Sequence, residues 1–357
     1  MTSQGKWAGA GLSARPLRVL CIGGGTGLST LLKGLKQYVV VPGSQPAAGA
    51  PAIASLTAVV TVTDDGGSSG RLRKEFNILP PGDIRSCLVA LSEDEALLSK
   101  LFQYRFTAGA GLEGHSFGNL FVTALTAVTG DFTKAVELSS AILKTRGRIV
   151  PSTTANVQLV ASMNNGSEVA GETNITASKH RIVELRMEPR DAQPLRETLA
   201  AIADADLITI GPGSLFTSLI PNLLVKGVPE AIARSRALKV FVCNLMTQAN
   251  ESLGLTAADH VLAIYMHAAA QRFFDLALVN DRPASAALRA KYAEEGQGQI
   301  EVDRDGFSAL GLRVETGDFL EEDAGIARHA TDRLAAALLK LAAERTREPA
   351  VASAAMR

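Results

Sequence analysis

Between Arg18 and Leu35 the chain reads RVLCI, then GGGTG, then LSTLLKGL. A short β-branched run stops at Gly23, and Leu28, Leu31, Leu32 and Leu35 then fall at helical spacing. A strand that passes into a helix through a glycine turn constrains the fold strongly. Glycine lets backbone N–H groups come close to an anion, and the helix that follows aims its positive end at the same point. The logic recurs at Asp206–Ile210 (DLITI), which runs into Gly211-Pro212-Gly213-Ser214.

Further strand signals lie at Leu56–Thr63, Lys239–Asn244, Leu276–Asn280 and Leu312–Thr316. Helical patterns occupy Leu97–Phe106, Gly118–Val128, Thr133–Leu143, Leu199–Ala203 and Thr331–Ala343. Strand and helix alternating at this spacing predict right-handed βαβ units and a parallel sheet. Between Ile149 and Glu188, alternating runs broken by Asn-Asn-Gly and Gly-Glu predict a small antiparallel layer attached to it. The expected class is α/β, a Rossmann-like, doubly wound, mainly parallel sheet with an inserted antiparallel β layer. One domain is expected over residues 17–343, with the antiparallel subregion at 149–188 and a Pro-, Ala- and Gly-rich flexible insertion at 41–55. Residues 1–16 read as a disordered arm and 344–357 as a frayed tail.

Composition excludes several classes. The 36 Lys and Arg balance the 36 Asp and Glu, so no bulk field draws the chain onto nucleic acid, and aromatics at 5% are too few for base-stacking platforms. The spanning-length uncharged stretch Leu207–Val225 holds Gly211, Pro212, Gly213 and Pro221, so a buried strand and turn explain it better than membrane insertion. Cys21, Cys87 and Cys243 are too scattered for a disulfide framework or a CxxC metal site. Balanced charge and apolar helices are compatible with a homodimer.

Twelve of the 32 glycines fall inside five motifs, which is where ligand chemistry is sought. Gly23, Gly24, Gly25, Thr26 and Gly27 form a phosphate-type loop. It is not a dinucleotide fingerprint, because the last glycine of GxGxxG would fall on Leu28. An NAD-type oxidoreductase would rest on this loop alone. After the second strand come Asp64 and Asp65, then Gly66, Gly67, Ser68, Ser69 and Arg71. Adjacent carboxylates at a strand's carboxyl end suit a divalent cation such as Mg²⁺ or a substrate hydroxyl, and the arginine can neutralise phosphate. Asp83, in PPGDIR, either caps a helix or extends the anion site. His115, Ser116 and Asn119 gather at the start of an apolar helix, where His115 is a candidate base or a packed structural histidine. Gly211, Gly213 and Ser214 form a second anion-type turn, and Asn244 ends another strand with an amide suited to reading a base or sugar. Two anion-accepting helix ends suit a ligand with two phosphates. No GKS or GKT occurs in either loop, which disfavours an ATPase.

Together, GGGTGL, TDDGGSSGRLR, PPGDIR, EGHSFGN, IVPSTTANV, GPGSLFTSLIPNLLV and CNLMTQ, continued by YAEEG at Tyr292 and RH at Arg328, resemble the gluconeogenesis factor (YvcK-like) family, itself similar to CofD 2-phospho-L-lactate transferases. The similarity spans about residues 18–343 and departs at QANES, Gln248–Ser252, where the family usually has Gly-Glu-Thr. The resemblance implies a Rossmann-like protein of the bacterial cytoplasm needed for cell shape and for growth on gluconeogenic carbon sources. It would bind UDP-sugars such as UDP-N-acetylglucosamine without turnover, with Tyr292 and Arg328 at the ligand and regulatory protein partners in cell-wall synthesis. The transferase branch implies instead a nucleoside-diphosphate-linked phospholactyl donor at the glycine loops and Mg²⁺ at Asp64 and Asp65.

Overall fold

The computed structural model describes residues 15–41, 51–93 and 97–347. The arm expected at 1–16, the tail at 344–357 and the insertion at 41–55 fall mostly outside them.

Seven strands form the main sheet: β1 (Leu17–Gly23), β2 (Ile53–Val60), β3 (Arg148–Pro151), β7 (Leu207–Ile210), β8 (Leu238–Val242), β9 (Leu276–Asn280) and β10 (Arg313–Gly317). Their order is β10-β9-β8-β7-β1-β2-β3 and every pairing is parallel. A parallel sheet has both faces covered by helices, which is why β7, β8 and β9 are buried at every position. β1 lies between β2, which leads to β3, and β7, which leads to β8, β9 and β10. The strand order reverses there, and a crevice opens beyond the carboxyl ends of β1 and β7, where open α/β sheets bind ligands.

A second sheet is antiparallel: β4 (Gln158–Met163) sits between β5 (Glu168–Ala170) and β6 (Ile182–Glu188). It is anchored by the Leu185 N–H, which donates to Nε2 of His267 on the helix Ala257–His267 at 2.9 Å. This layer is narrower than the expected 149–188. Residues 148–151 pair with β2 in the parallel sheet, because the run IVP is apolar enough to be buried on both faces. Glu172–Ala177, expected to be strand, is a helix, and Asp65 explains the difference. Its Oδ1 accepts from the Thr173 N–H at 2.8 Å and the Thr173 hydroxyl at 2.7 Å, capping the helix from far away in sequence.

β2 begins at Ile53, inside the expected insertion, and the Leu17 N–H donates to the Ala52 carbonyl. The last helix runs from Thr331 to Arg347, past the expected end of the domain at residue 343. A short antiparallel hairpin, β11 (Leu320–Asp323) and β12 (Ile326–His329), precedes it. The hairpin packs on a small separate core of Leu245, Met246, Ala284, Leu288 and Leu320, joined by Tyr292 and Ala327.

Candidate functional site

The crevice holds a cavity of about 620 Å³. Gly24, Gly25, Thr26 and Gly27 line one wall, Gly213, Ser214 and Asn244 another, and Tyr292, Arg328 and His329 a third. The sequence positions assigned to phosphate loops and those assigned to the sugar-nucleotide contact therefore meet in one space. Gly23 and Gly211 lie behind this surface. The Gly23 carbonyl accepts from Asn222 Nδ2 at 3.1 Å, and Gly211 takes φ +90, where a side chain would also collide with the Val242 carbonyl.

On the first wall, β1 delivers its glycines straight into the helix Gly25–Leu35, whose N-cap, Gly24, offers no side-chain oxygen. The amides of Thr26 and Gly27 lie in the first helical turn and have no carbonyl a turn earlier to bond. Gly27 sits so close to the second turn that a side chain here would strike the Pro212 carbonyl. Asp83 does not cap its own helix, Gly82–Leu91, whose N-cap is Pro81. Its carboxyl accepts from the Gly25 N–H instead, and burial together with the nearby Asp64 charge pushes its pKa up to about 7.

The second wall differs from expectation. After β7 the chain enters a π-helical turn, Leu215–Leu219, continued by the helix Ile220–Leu224. The amides of Phe216 and Thr217, at the start of that turn, donate to Glu251 Oε1 at 2.8 and 3.0 Å. The second anion position is thus filled by the protein's own carboxylate. The Gly213 N–H donates to Asn244 Oδ1 at 2.9 Å and Asn244 Nδ2 donates back to the Gly213 carbonyl at 2.7 Å, so Asn244 shapes this turn from the end of β8. Gln248 Nε2 donates to Ser214 Oγ at 2.9 Å.

On the third wall, the Ala327 N–H donates to the Tyr292 hydroxyl at 3.2 Å, tying the helix Ala286–Ala293 to the hairpin that carries Arg328. Arg328 pairs with Asp323 at 3.5 Å and is exposed, leaving its guanidinium accessible from the cavity. His329 Nε2 donates to the Cys243 carbonyl at 3.1 Å, and burial lowers its pKa to about 4, so the imidazole is neutral at pH 7.

The remaining predicted residues gather beside this cavity rather than on its surface. The Gly66 N–H donates to Asp64 Oδ1 at 2.9 Å, while Asp65 is taken up by Thr173, so the two aspartates diverge. Gly67 opens the helix Gly67–Phe76 and is exposed. On that helix Ser68 Oγ lies 3.0 Å from His115 Nδ1, and Asn119 Nδ2 donates to Ser68 Oγ at 3.1 Å and Ser69 Oγ at 3.3 Å. All four side chains are buried, and burial with the Arg71 charge nearby lowers the His115 pKa. Arg71 donates to the Glu113 carbonyl at 2.6 Å. Glu172 connects the two regions. It lines the cavity, accepts from the Thr63 hydroxyl at 3.1 Å, and is raised well above a usual glutamate by burial and by Asp64, Asp83 and Asp65. Among the described residues no three His, Cys, Asp or Glu side chains are arranged to hold a metal ion. A Mg²⁺ ion at Asp64 would therefore draw most of its oxygens from water and from a ligand's phosphates.

Sequence reasoning missed Glu172, Glu251 and His329. Glu251 lies in the segment that departs from the family pattern, and only the folded chain brings it against β7.

A family model described as 2-phospho-L-lactate transferase CofD matches residues 19–320. The chain belongs to the CofD family. Among relatives of this CofD-family chain, a putative gluconeogenesis factor of Nostoc sp. is 48% identical over 324 residues, covering 90% of this chain and 68% of the relative. The gluconeogenesis factor of Bacillus subtilis is 43% identical, covering 92% and 98%. The crystal structure of a Bacillus halodurans protein superposes with a TM-score of 0.85 at 45% identity, over 91% of this CofD-family chain and all of that one. Among the described residues no helix is long and apolar enough to cross a membrane.

Proposed function

We propose that this CofD-family protein is a gluconeogenesis factor of the cytoplasm that binds a UDP-sugar, such as UDP-N-acetylglucosamine, and acts as a regulator of cell shape through protein partners in cell-wall synthesis. The observation that supports this reading best is the single cavity in which Gly25–Gly27, Tyr292 and Arg328 meet. Free amides at the first loop suit a diphosphate, an aromatic ring suits a pyrimidine face, and a guanidinium suits the remaining phosphate charge. Titration calorimetry of the full chain with UDP-N-acetylglucosamine is expected to give saturable heat that Arg328→Ala reduces at least about tenfold in affinity. No heat with any UDP-sugar would end this reading.

A second reading, a Mg-dependent transferase of a phospholactyl-type group from a nucleoside-diphosphate-linked donor, is favoured by the acidic residues beside the first loop, Asp64, Asp83 and Glu172. When bound, the cation would screen donor phosphates from these carboxylates. Asp64 is its nearest candidate ligand, and Asp65 serves the helix Glu172–Ala177. This reading expects turnover that Asp64→Asn abolishes. Equal turnover in that variant would remove Asp64 from it.

A further inference from the structure

Glu251 is 9% exposed and lines the cavity, yet it belongs to none of the motifs that define it. Oε1 accepts from two successive amides, Phe216 and Thr217, and the hydroxyls of Thr217 and Ser214 also turn to this carboxyl. Four donors converging on one carboxyl fit the anion rather than the acid. Burial acts the other way and is the larger influence, holding the Glu251 carboxyl above its ordinary pKa, while the two amides at 2.8 and 3.0 Å donate to one oxygen as they would to an anion. Amides at the start of a glycine turn are the groups that a ligand phosphate would otherwise use.

We propose that Glu251 is a specificity-determining residue: a resident carboxylate that fills the anion position of the second glycine turn, so that whatever part of the ligand meets this wall must be uncharged. The inference rests on the nucleotide-sugar reading and sharpens it. The first loop keeps the free amides of Thr26 and Gly27, so the diphosphate belongs there. The Ser214, Gln248 and Asn244 wall then meets the sugar with neutral amide and hydroxyl groups. An anionic sugar brought against Glu251 would lose affinity through like-charge repulsion in a partly dehydrated site.

The test uses the full chain and two ligands that share nucleotide and diphosphate, UDP-N-acetylglucosamine with a neutral sugar and UDP-glucuronate with a carboxylate. Calorimetry of the wild type is expected to show at least about tenfold preference for the neutral sugar. Glu251→Gln keeps an acceptor for the two amides while removing the charge, and it should shrink that preference to within roughly threefold. Gln248→Glu adds a second carboxylate to the same wall and should widen the preference. It decides the matter if the first variant does not fold. A ratio that stays at the wild-type value in the folded variants overturns the proposal while leaving UDP-sugar binding intact. A wild type that binds neither ligand overturns the nucleotide-sugar reading and this inference with it.

Discussion

Asp83 accepts from the Gly25 N–H with Asp64 and Glu172 nearby, and its pKa of about 7 sets a sign for stability against pH. A carboxyl raised above its unfolded value of 3.8 holds a proton in the folded state that the unfolded chain has released. Its contribution is complete below the unfolded pKa and is lost as pH rises toward 7. Asp83→Asn keeps an acceptor for Gly25 and removes the titration. The variant should therefore gain stability over the wild type as pH goes from 5 to 8, by about 1 kcal/mol or more at the upper end, measured by urea unfolding at each pH. His329 titrates with the opposite sign, since its lowered pKa costs stability as pH falls from 6.5 toward 4. It is common to both proteins and cancels in the difference. A gap that is flat with pH would mean that Asp83 stays ionised in the fold.

The hairpin β11–β12 shows how an element outside the main sheet completes the cavity. Its hold on the molecule includes the Tyr292 hydroxyl, the Lys291 Nζ donation to the Gly325 carbonyl at 2.9 Å, and Glu322, which accepts from the Ser285 N–H and hydroxyl. Tyr292→Phe should cost about 0.5–1.5 kcal/mol of stability and weaken UDP-sugar binding only slightly, because the ring remains. Tyr292→Ala should remove binding, and equal affinities for the two variants by calorimetry would show that the ring does not face the ligand. This hairpin was invisible in the sequence, since LEED and IARH carry charge on exposed strands and lack the alternation of a buried face. The glycine turns at 23–27 and 211–214 were legible because a buried strand, a turn and a helix are written consecutively there. The capping of Glu172–Ala177 by Asp65, and of the Phe216 and Thr217 amides by Glu251, joins residues that are 108 and about 35 positions apart, and no local pattern records such contacts. Asp64 and Asp65 diverge as adjacent side chains are expected to, but no local pattern records that the second of them reaches Thr173.

At the scale of the whole molecule, the cavity sits where the two directions of strand order part, so its walls belong to different halves of the sheet. Gly27, from the β1 side, packs against the Pro212 carbonyl, from the β7 side, with no room for a single added carbon. The two glycine loops can thus share one ligand only while this contact stays tight. Gly27→Ala should push the walls apart, cost about 1–3 kcal/mol as an overpacked contact, and move the free amides of the first loop out of register with Tyr292 and Arg328. The wild type at a ligand concentration of roughly 100 Kd is expected to gain about 2.7 kcal/mol from binding that only the folded state can make, seen as a rise in Tm with UDP-N-acetylglucosamine. In Gly27→Ala that rise should vanish even where the variant remains folded, since the substitution keeps the Gly27 N–H and changes the geometry between the halves. A variant that shows the same ligand-induced rise as the wild type would place the binding determinants within one half of the sheet and detach the second glycine turn from the site.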